Sequence, residues 1–442
     1  MRAAVQMPLF MFMGAAITLA QISPDPQILA EINRIPAVDN HTHVMKVVGP
    51  GEKDDDFDAL PCDPLEPSEI PFMALPENPK FLEAWQKLYG YKYNDNQPEH
   101  VRELIAAKQQ IQREQGDNYP AWVLDKLNIQ YMLSNRVAMG RGLNPRRFLW
   151  VPFDDALMVP LDNSAVADNP DRKIFYGREN GLLKKYMLEA GVTELPATLD
   201  QYVAKIITPT LERQKKAGAV AVKFEAAYLR PLDFGDSRMD DAARVYARYA
   251  KGGVPSKAEN LLVQDALFRA IAYEAGRHGM PVHIHTGTGC GGYFDLIGAN
   301  PGLLNSILSD SSLRKTTFVL LHGGSGPYTK MITFLLGKPN VYADFSEQDA
   351  LISTRAMAAV LRDWLEAYPE KVMFGTDLSP GSPEIGWEET GYGNSKTGRE
   401  GLALALTEMV NDGEVSRDRA LELARMAMRG TAIKLYGLKD KE

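Results

Sequence analysis

Eight short apolar segments, at 35–40, 129–134, 147–153, 219–225, 282–285, 318–322, 341–345 and 372–376, constrain this chain more than anything else in it. Stretches of helical periodicity separate most of them. Strands that alternate with helices pair in parallel, because each helix carries the chain back along the sheet. Eight such units are the number that closes a barrel, so the pattern predicts an α/β fold, a (β/α)8 TIM-like barrel. Residues 199–217 read as one helix stopped by Gly218, and Ser256-Lys-Ala-Glu259 reads as a capping box opening a helix that Gly279 ends. The rhythm is broken once. Residues 46–120 are polar and rich in Asp, Pro and Lys, with helical periodicity over 80–115, and predict an insertion after strand 1 that caps the barrel mouth. No repeat or linker splits the remainder, so 21–442 reads as a single domain.

The first twenty residues differ from the rest. Arg2 precedes an apolar run over 7–19, and Thr18 and Ala20 place small residues where a signal peptidase reads. This predicts a signal peptide over 1–20 and an exported, periplasmic or secreted product. No later apolar run approaches the ~20 residues of a membrane span, so no membrane association is expected once the leader is removed. The 442 residues are 45% hydrophobic and 24% charged, an ordinary globular balance. A net charge of −8 gives a nucleic-acid partner no electrostatic support. Self-association into a homo-oligomer is left open.

Five of the seven histidines fall at the C-terminal ends of predicted strands, the face where barrels of this kind place their chemistry. His41 and His43 are two apart at the end of strand 1. A strand has period two, so both imidazoles face the same way and can hold one ion. His283 and His285 repeat the device on strand 5, His322 ends strand 6, and Asp377 follows strand 8. Singly, an HxH pair can be coincidence, His322 can be packing and Asp377 a helix cap; their convergence on one rim points to a metal site. In 219–225 the branched and aromatic Val220, Val222 and Phe224 alternate with Ala221, Lys223 and Glu225. The first set faces the surrounding helices, which turns Lys223 and Glu225 into the barrel. A buried lysine must be paired, neutralised or modified, and a local Lys223–Glu225 contact is one solution. Arg136, Arg141 and Arg230 flank strands and are candidate partners for a substrate carboxylate, with surface placement the alternative.

The order HxH, Lys, His, His, Asp on strands 1, 4, 5, 6 and 8 resembles the amidohydrolase superfamily. Pro281-Val-His-Ile-His-Thr-Gly-Thr-Gly289, Val319-Leu-Leu-His-Gly-Gly324 and Phe374-Gly-Thr-Asp377 look like its amidohydrolase-related (amidohydrolase 2) branch, which includes domains fused to glutamine-synthetase-like modules in nodulin-type and fungal developmental proteins. The resemblance is concentrated in 220–384, and 46–120 match nothing in it. It implies a divalent metal, zinc, held by His41, His43, His285, His322 and Asp377. Lys223 matches a lysine that is carboxylated in some members and bridges two ions, so the count is one or two. His283 is extra to the pattern and is open to a role as ligand, substrate contact or partner of Asp344.

The resemblance also implies a reaction. A metal-activated water attacks an amide or other C–N bond of a small molecule, or a lactone or ester, with Asp377 carrying the proton and His322 steadying the developing oxyanion. Two alternatives stand beside it: a metal-dependent, non-oxidative decarboxylase of the same branch, and a non-catalytic binding protein that keeps the barrel as a scaffold. Finally, Cys62 in the insertion and Cys290 after strand 5 are the only cysteines. Both loops open on the C-terminal face, so a disulfide across the mouth is expected in an oxidising compartment, with two free thiols as the alternative.

Overall fold

In the computed structural model, which describes residues 23–49 and 51–440, the apolar segments form eight parallel strands. The expected signal peptide lies outside the described residues. The strands are β1 (Ala37–Thr42), β2 (Ile129–Asn135), β3 (Phe148–Val151), β4 (Val222–Phe224), β5 (Val282–His285), β6 (Phe318–Leu321), β7 (Val341–Asp344) and β8 (Val372–Met373). One ladder runs β1-β2-β3 and a second runs β4-β5-β6-β7-β8. Single backbone bridges join them at both seams. Lys223 N donates to Pro152 O at 2.8 Å and Asp154 N to Lys223 O at 3.0 Å; at the other seam Asp377 N donates to His41 O at 2.9 Å and His43 N to Leu378 O at 2.8 Å. The chain is a (β/α)8 barrel. No helix among the described residues is long and apolar enough to cross a membrane.

Side-chain alternation decides what fills it. Val38, Leu133, Val151, Ala221, Val319, Leu321 and Met373 form one buried cluster inside the barrel, and Ala432 of the terminal helix Thr431–Tyr436 joins it from below. Val222, Phe224, Ile284 and Leu320 face the other way, into the larger core between strands and helices. The inward turn of Lys223 follows from this alternation. β1 departs from strict alternation: its pairing with β2 shifts register between Ala37 and Val38 and again between Asp39 and Thr42. Such irregularities re-aim side chains. Here Asn40 and His41 both reach interior partners.

Several elements end earlier than the sequence predicts. β4 stops at Phe224 because the Glu225 N–H goes to Asp155 Oδ2 at 2.8 Å instead of a neighbouring strand. β8 stops at Met373 because Phe374 N donates to Ala427 O and Thr376 N to Asp39 Oδ1, both at 2.9 Å. The helix expected over 199–217 contains a π-turn at Val203–Ile207. Pro209 has no N–H to give back along the helix, and the wider turn accommodates the missing bond. The capping box is present as read: Ser256 and Glu259 cap the helix Lys257–Arg277 reciprocally.

The stretch after β1 holds two helices, Pro79–Tyr89 and Pro98–Gln115, the first ended by Gly90 at φ 70°. It is tied down at several points. Trp85 Nε1 donates to Glu384 O at 2.9 Å, and Lys108 pairs with Glu389 at 2.7 Å. Cys62 and Cys290 are bridged, with their Cα atoms 6.0 Å apart. Arg136 and Asp54, with fully buried side chains, pair through two bonds of 2.8 and 2.7 Å, while Arg136 Nη1 also donates to Val44 O at 2.6 Å. Asp54→Ala would strand that guanidinium in the interior, and a loss of about 3–5 kcal/mol in chemical denaturation is expected. A change below ~1 kcal/mol would show that water reaches Arg136 after all.

Candidate active site

The strand ends bring the predicted ligands together to different degrees. His41 Nε2 lies 3.1 Å from Asp377 Oδ1, and His43 Nε2 lies 3.5 Å from the same oxygen. Asn135 Nδ2 lies 2.7 Å from His41 Nδ1; a ligating Nε2 needs the ring proton on Nδ1, which the Asn135 amide meets by presenting its unpaired Oδ1 there instead. Ser346 Oγ donates to Asp344 Oδ1 at 2.8 Å, so its contact with His322 Nδ1 at 2.9 Å must be donated by the imidazole. The His322 lone pair therefore sits on Nε2, free for a ligand. His41, His322 and Asp377 each offer one ligand atom, all within 4.8 Å of one another. Bonds of about 2 Å to one cation close that spacing with small side-chain rotations.

The backbone is shaped for this convergence. His322 has φ 63° and Asp377 φ 50°, two of the four non-glycine residues with positive φ among those described. Such conformations cost about 1–3 kcal/mol each and gather at functional sites. Thr376 is held on the neighbouring strand by Asp39, whose carboxylate accepts its N–H at 2.9 Å and its hydroxyl at 2.7 Å. Electrostatics match the donor chemistry. Burial, then the charge of Lys223, holds His41 and His285 well below the ordinary imidazole range; burial, then His285 and Lys223, does the same to His322. Neutral imidazole is the form that binds a metal. Burial pushes the Asp377 carboxyl up to about 6, while His43 and Lys223 draw it down. Neutral nitrogens beside one carboxylate, all turned to a common point, fit a divalent ion.

Other candidates are placed differently. Lys223 is fully buried, its Nζ 3.4 Å from His41 Nε2 and 3.7 Å from Glu225 Oε1, which is the local pairing. His285 stacks edge-on against His322 with ring centres 4.6 Å apart, but its Nε2 donates to Thr288 O at 2.7 Å and is taken. His283 points into the barrel and donates to the Tyr436 hydroxyl at 2.8 Å; Tyr436 donates to Asn40 at 2.5 Å, and Asn40 to Asp344 at 2.6 Å. His283 therefore does not touch Asp344; Tyr436 and Asn40 stand between them. Neither Arg136 nor Arg230 is available to a substrate. Arg136 is spent on Asp54 and Val44 O. Arg230 pairs with Asp265 at 2.7 Å, donates to the carbonyls of Pro231 and Asp233, and lies over the Phe234 ring. A buried guanidinium has five N–H groups to satisfy; for Arg230 the helix Lys257–Arg277 and the carbonyls of Pro231 and Asp233 take them up.

Two residues at the site were not singled out in the sequence. Asp58, from the insertion, places Oδ2 3.0 Å from His43 Nδ1. Glu347, at φ 62°, accepts from Ser325 and Thr288, and burial together with Asp377 pushes its carboxyl up to about 8. The Asp-rich run over 54–58 was the available signal for the first. Nothing in the sequence marks the second. A cavity of about 810 Å³ opens between the loops after β1, β2 and β8, lined in part by Met45, Arg113, Arg141, Pro380 and Trp387.

The amidohydrolase family model (Amidohydro_2) matches residues 190–438, more than half of the chain. The chain belongs to the amidohydrolase family. Protein fluG of Emericella nidulans is 28% identical over 182 residues, which are 41% of this chain and 20% of that protein. Among solved structures, a protein of Lactobacillus casei assigned as a metal-dependent hydrolase is 15% identical, with a TM-score of 0.59 over 94% of this chain and 98% of its own. Uronate isomerase from Thermotoga maritima, at 14% identity, gives 0.54 over 93% and 98%. Glucuronate isomerase from Caulobacter crescentus, at 12%, gives 0.56 over 94% of each chain. These three share the fold. Family membership makes this chain an enzyme of hydrolase type.

Proposed function

We propose that this amidohydrolase cleaves an amide or other C–N bond of a small molecule, with a lactone or ester as the nearest variation. The observation that carries the reading is the approach of both β1 imidazoles to one carboxylate oxygen of Asp377, at 3.1 and 3.5 Å. His41, His322 and Asp377 would hold the ion, with His43 beside them; zinc suits a set of imidazoles and a carboxylate. When bound, a divalent ion supplies Lewis-acid activation of water and of the scissile carbonyl. Asp377 accepts the proton of the attacking water and returns it to the leaving nitrogen. Asn135 and Ser346 keep His41 and His322 in fixed orientations, so little reorganisation accompanies the reaction. Export is part of this proposal: the leader-like residues 1–20 and the Cys62–Cys290 bridge support it, because such bridges persist in oxidising compartments.

Product analysis tests the reaction class. The purified protein, loaded with zinc, is offered N-acyl and peptide-like amides, lactones, uronates and carboxylated aromatic rings. Release of amine or ammonia, or opening of a lactone, is expected. Release of CO₂ would replace hydrolysis with decarboxylation. Interconversion of a uronate without loss of any group would replace it with isomerisation.

A further inference from the structure

We infer that the insertion completes a second cation position, formed by Asp58, His43 and Glu225 beside the His41–His322–Asp377 position. It rests on the metal reading above but uses a residue from outside the strand-end pattern. His43, Asp58 and Glu225 each offer a ligand atom, and these atoms lie within 4.8 Å of one another. The His43 ring spans the two positions: Nε2 faces Asp377 at 3.5 Å, and Nδ1 faces Asp58 at 3.0 Å.

Unmet polar atoms are the second line of argument. Glu225 is 4% exposed, yet its Oε2 has no hydrogen-bond partner among the described residues, and His43 Nδ1 has only the Asp58 carboxylate at 3.0 Å. Buried polar atoms left unpaired are rare and costly, and a coordinated ion removes that cost. Charge is the third. Asp58 and Glu225 sit near buried Asp155 and Glu179, and neither Glu179 oxygen has a hydrogen-bond partner. Lys223, 3.7 Å from Glu225, is the cation that faces them, while Arg136 is committed to Asp54. A divalent ion supplies the positive charge this group of carboxylates lacks. One nitrogen and two carboxylates suit zinc or manganese, and no modification of Lys223 is needed.

The test is metal stoichiometry in the full-length protein, stripped with chelator and titrated with Zn²⁺, with bound metal measured by elemental analysis. Wild type should bind two ions per chain, Asp58→Asn and Glu225→Gln one each. Circular dichroism checks each variant's fold, and having two variants keeps the test alive if one does not fold. Mass spectrometry should find Lys223 unmodified. Wild type binding one ion, lost in Asp377→Asn, would overturn the second position and leave the first standing. Two ions retained in both Asp58→Asn and Glu225→Gln would overturn it as well, and added mass on Lys223 would then assign the second ion there. Wild type binding none would remove both readings.

Discussion

Asp377→Asn should lower turnover by about 10²–10⁴-fold, the range associated with losing a positioned proton carrier, while the barrel stays folded. The amide keeps the size of the carboxylate but can neither accept the proton nor bind a cation as strongly. The backbone that presents it, at φ 50°, is set by Asp39 and Thr376 and remains. Melting of the metal-free variant should therefore match that of metal-free wild type. His41→Ala should be at least as damaging to turnover, since it deletes the ring that Asn135 aims at Asp377. Steady-state kinetics on the substrate found by screening check both. An Asp377→Asn enzyme with wild-type kcat would remove the proposed proton carrier.

The second large effect concerns the covalent tie across the mouth. Cys62 and Cys290 are separated by 228 positions, so their bridge restricts a long loop in the unfolded chain. The chain-entropy model puts that at roughly 5 kcal/mol, an upper figure because native strain and residual structure reduce it. Cys290→Ser, or mild reduction of wild type, should lower the denaturation midpoint accordingly. It should also raise the KM or lower the turnover, because Asp58 lies four residues before Cys62 and touches His43. Denaturant titration of oxidised and reduced protein checks the first, and kinetics the second. Coincident midpoints would mean that the bridge contributes nothing to stability.

What was legible in the sequence followed from short periods. Alternation in 219–225 correctly turned Lys223 and Glu225 inward, and two-residue spacing put His41 and His43 on one side. Strands end before their apolar runs do wherever a side chain or distant carbonyl captures the next backbone N–H, as Asp155 does for Glu225 and Ala427 for Phe374. Arg136 and Arg230 looked available because their partners, Asp54 and Asp265, are far away in the chain and no local pattern announces them. His283 was ambiguous for the same reason, since Tyr436 reaches it from the last helix. Asp58 sat in a stretch with no recognisable pattern, where only the folded chain shows which of several aspartates meets a histidine.

An ion held by His41, His322 and Asp377 makes turnover strictly dependent on metal. The protein is stripped with chelator, then given zinc in steps while bound metal and activity are read on the same samples. Turnover absent in the stripped protein, returning in proportion to the bound ion, and failing to return in His41→Ala at the same zinc concentration is the predicted result. Undiminished turnover in a preparation free of metal would mean that no bound ion drives the reaction.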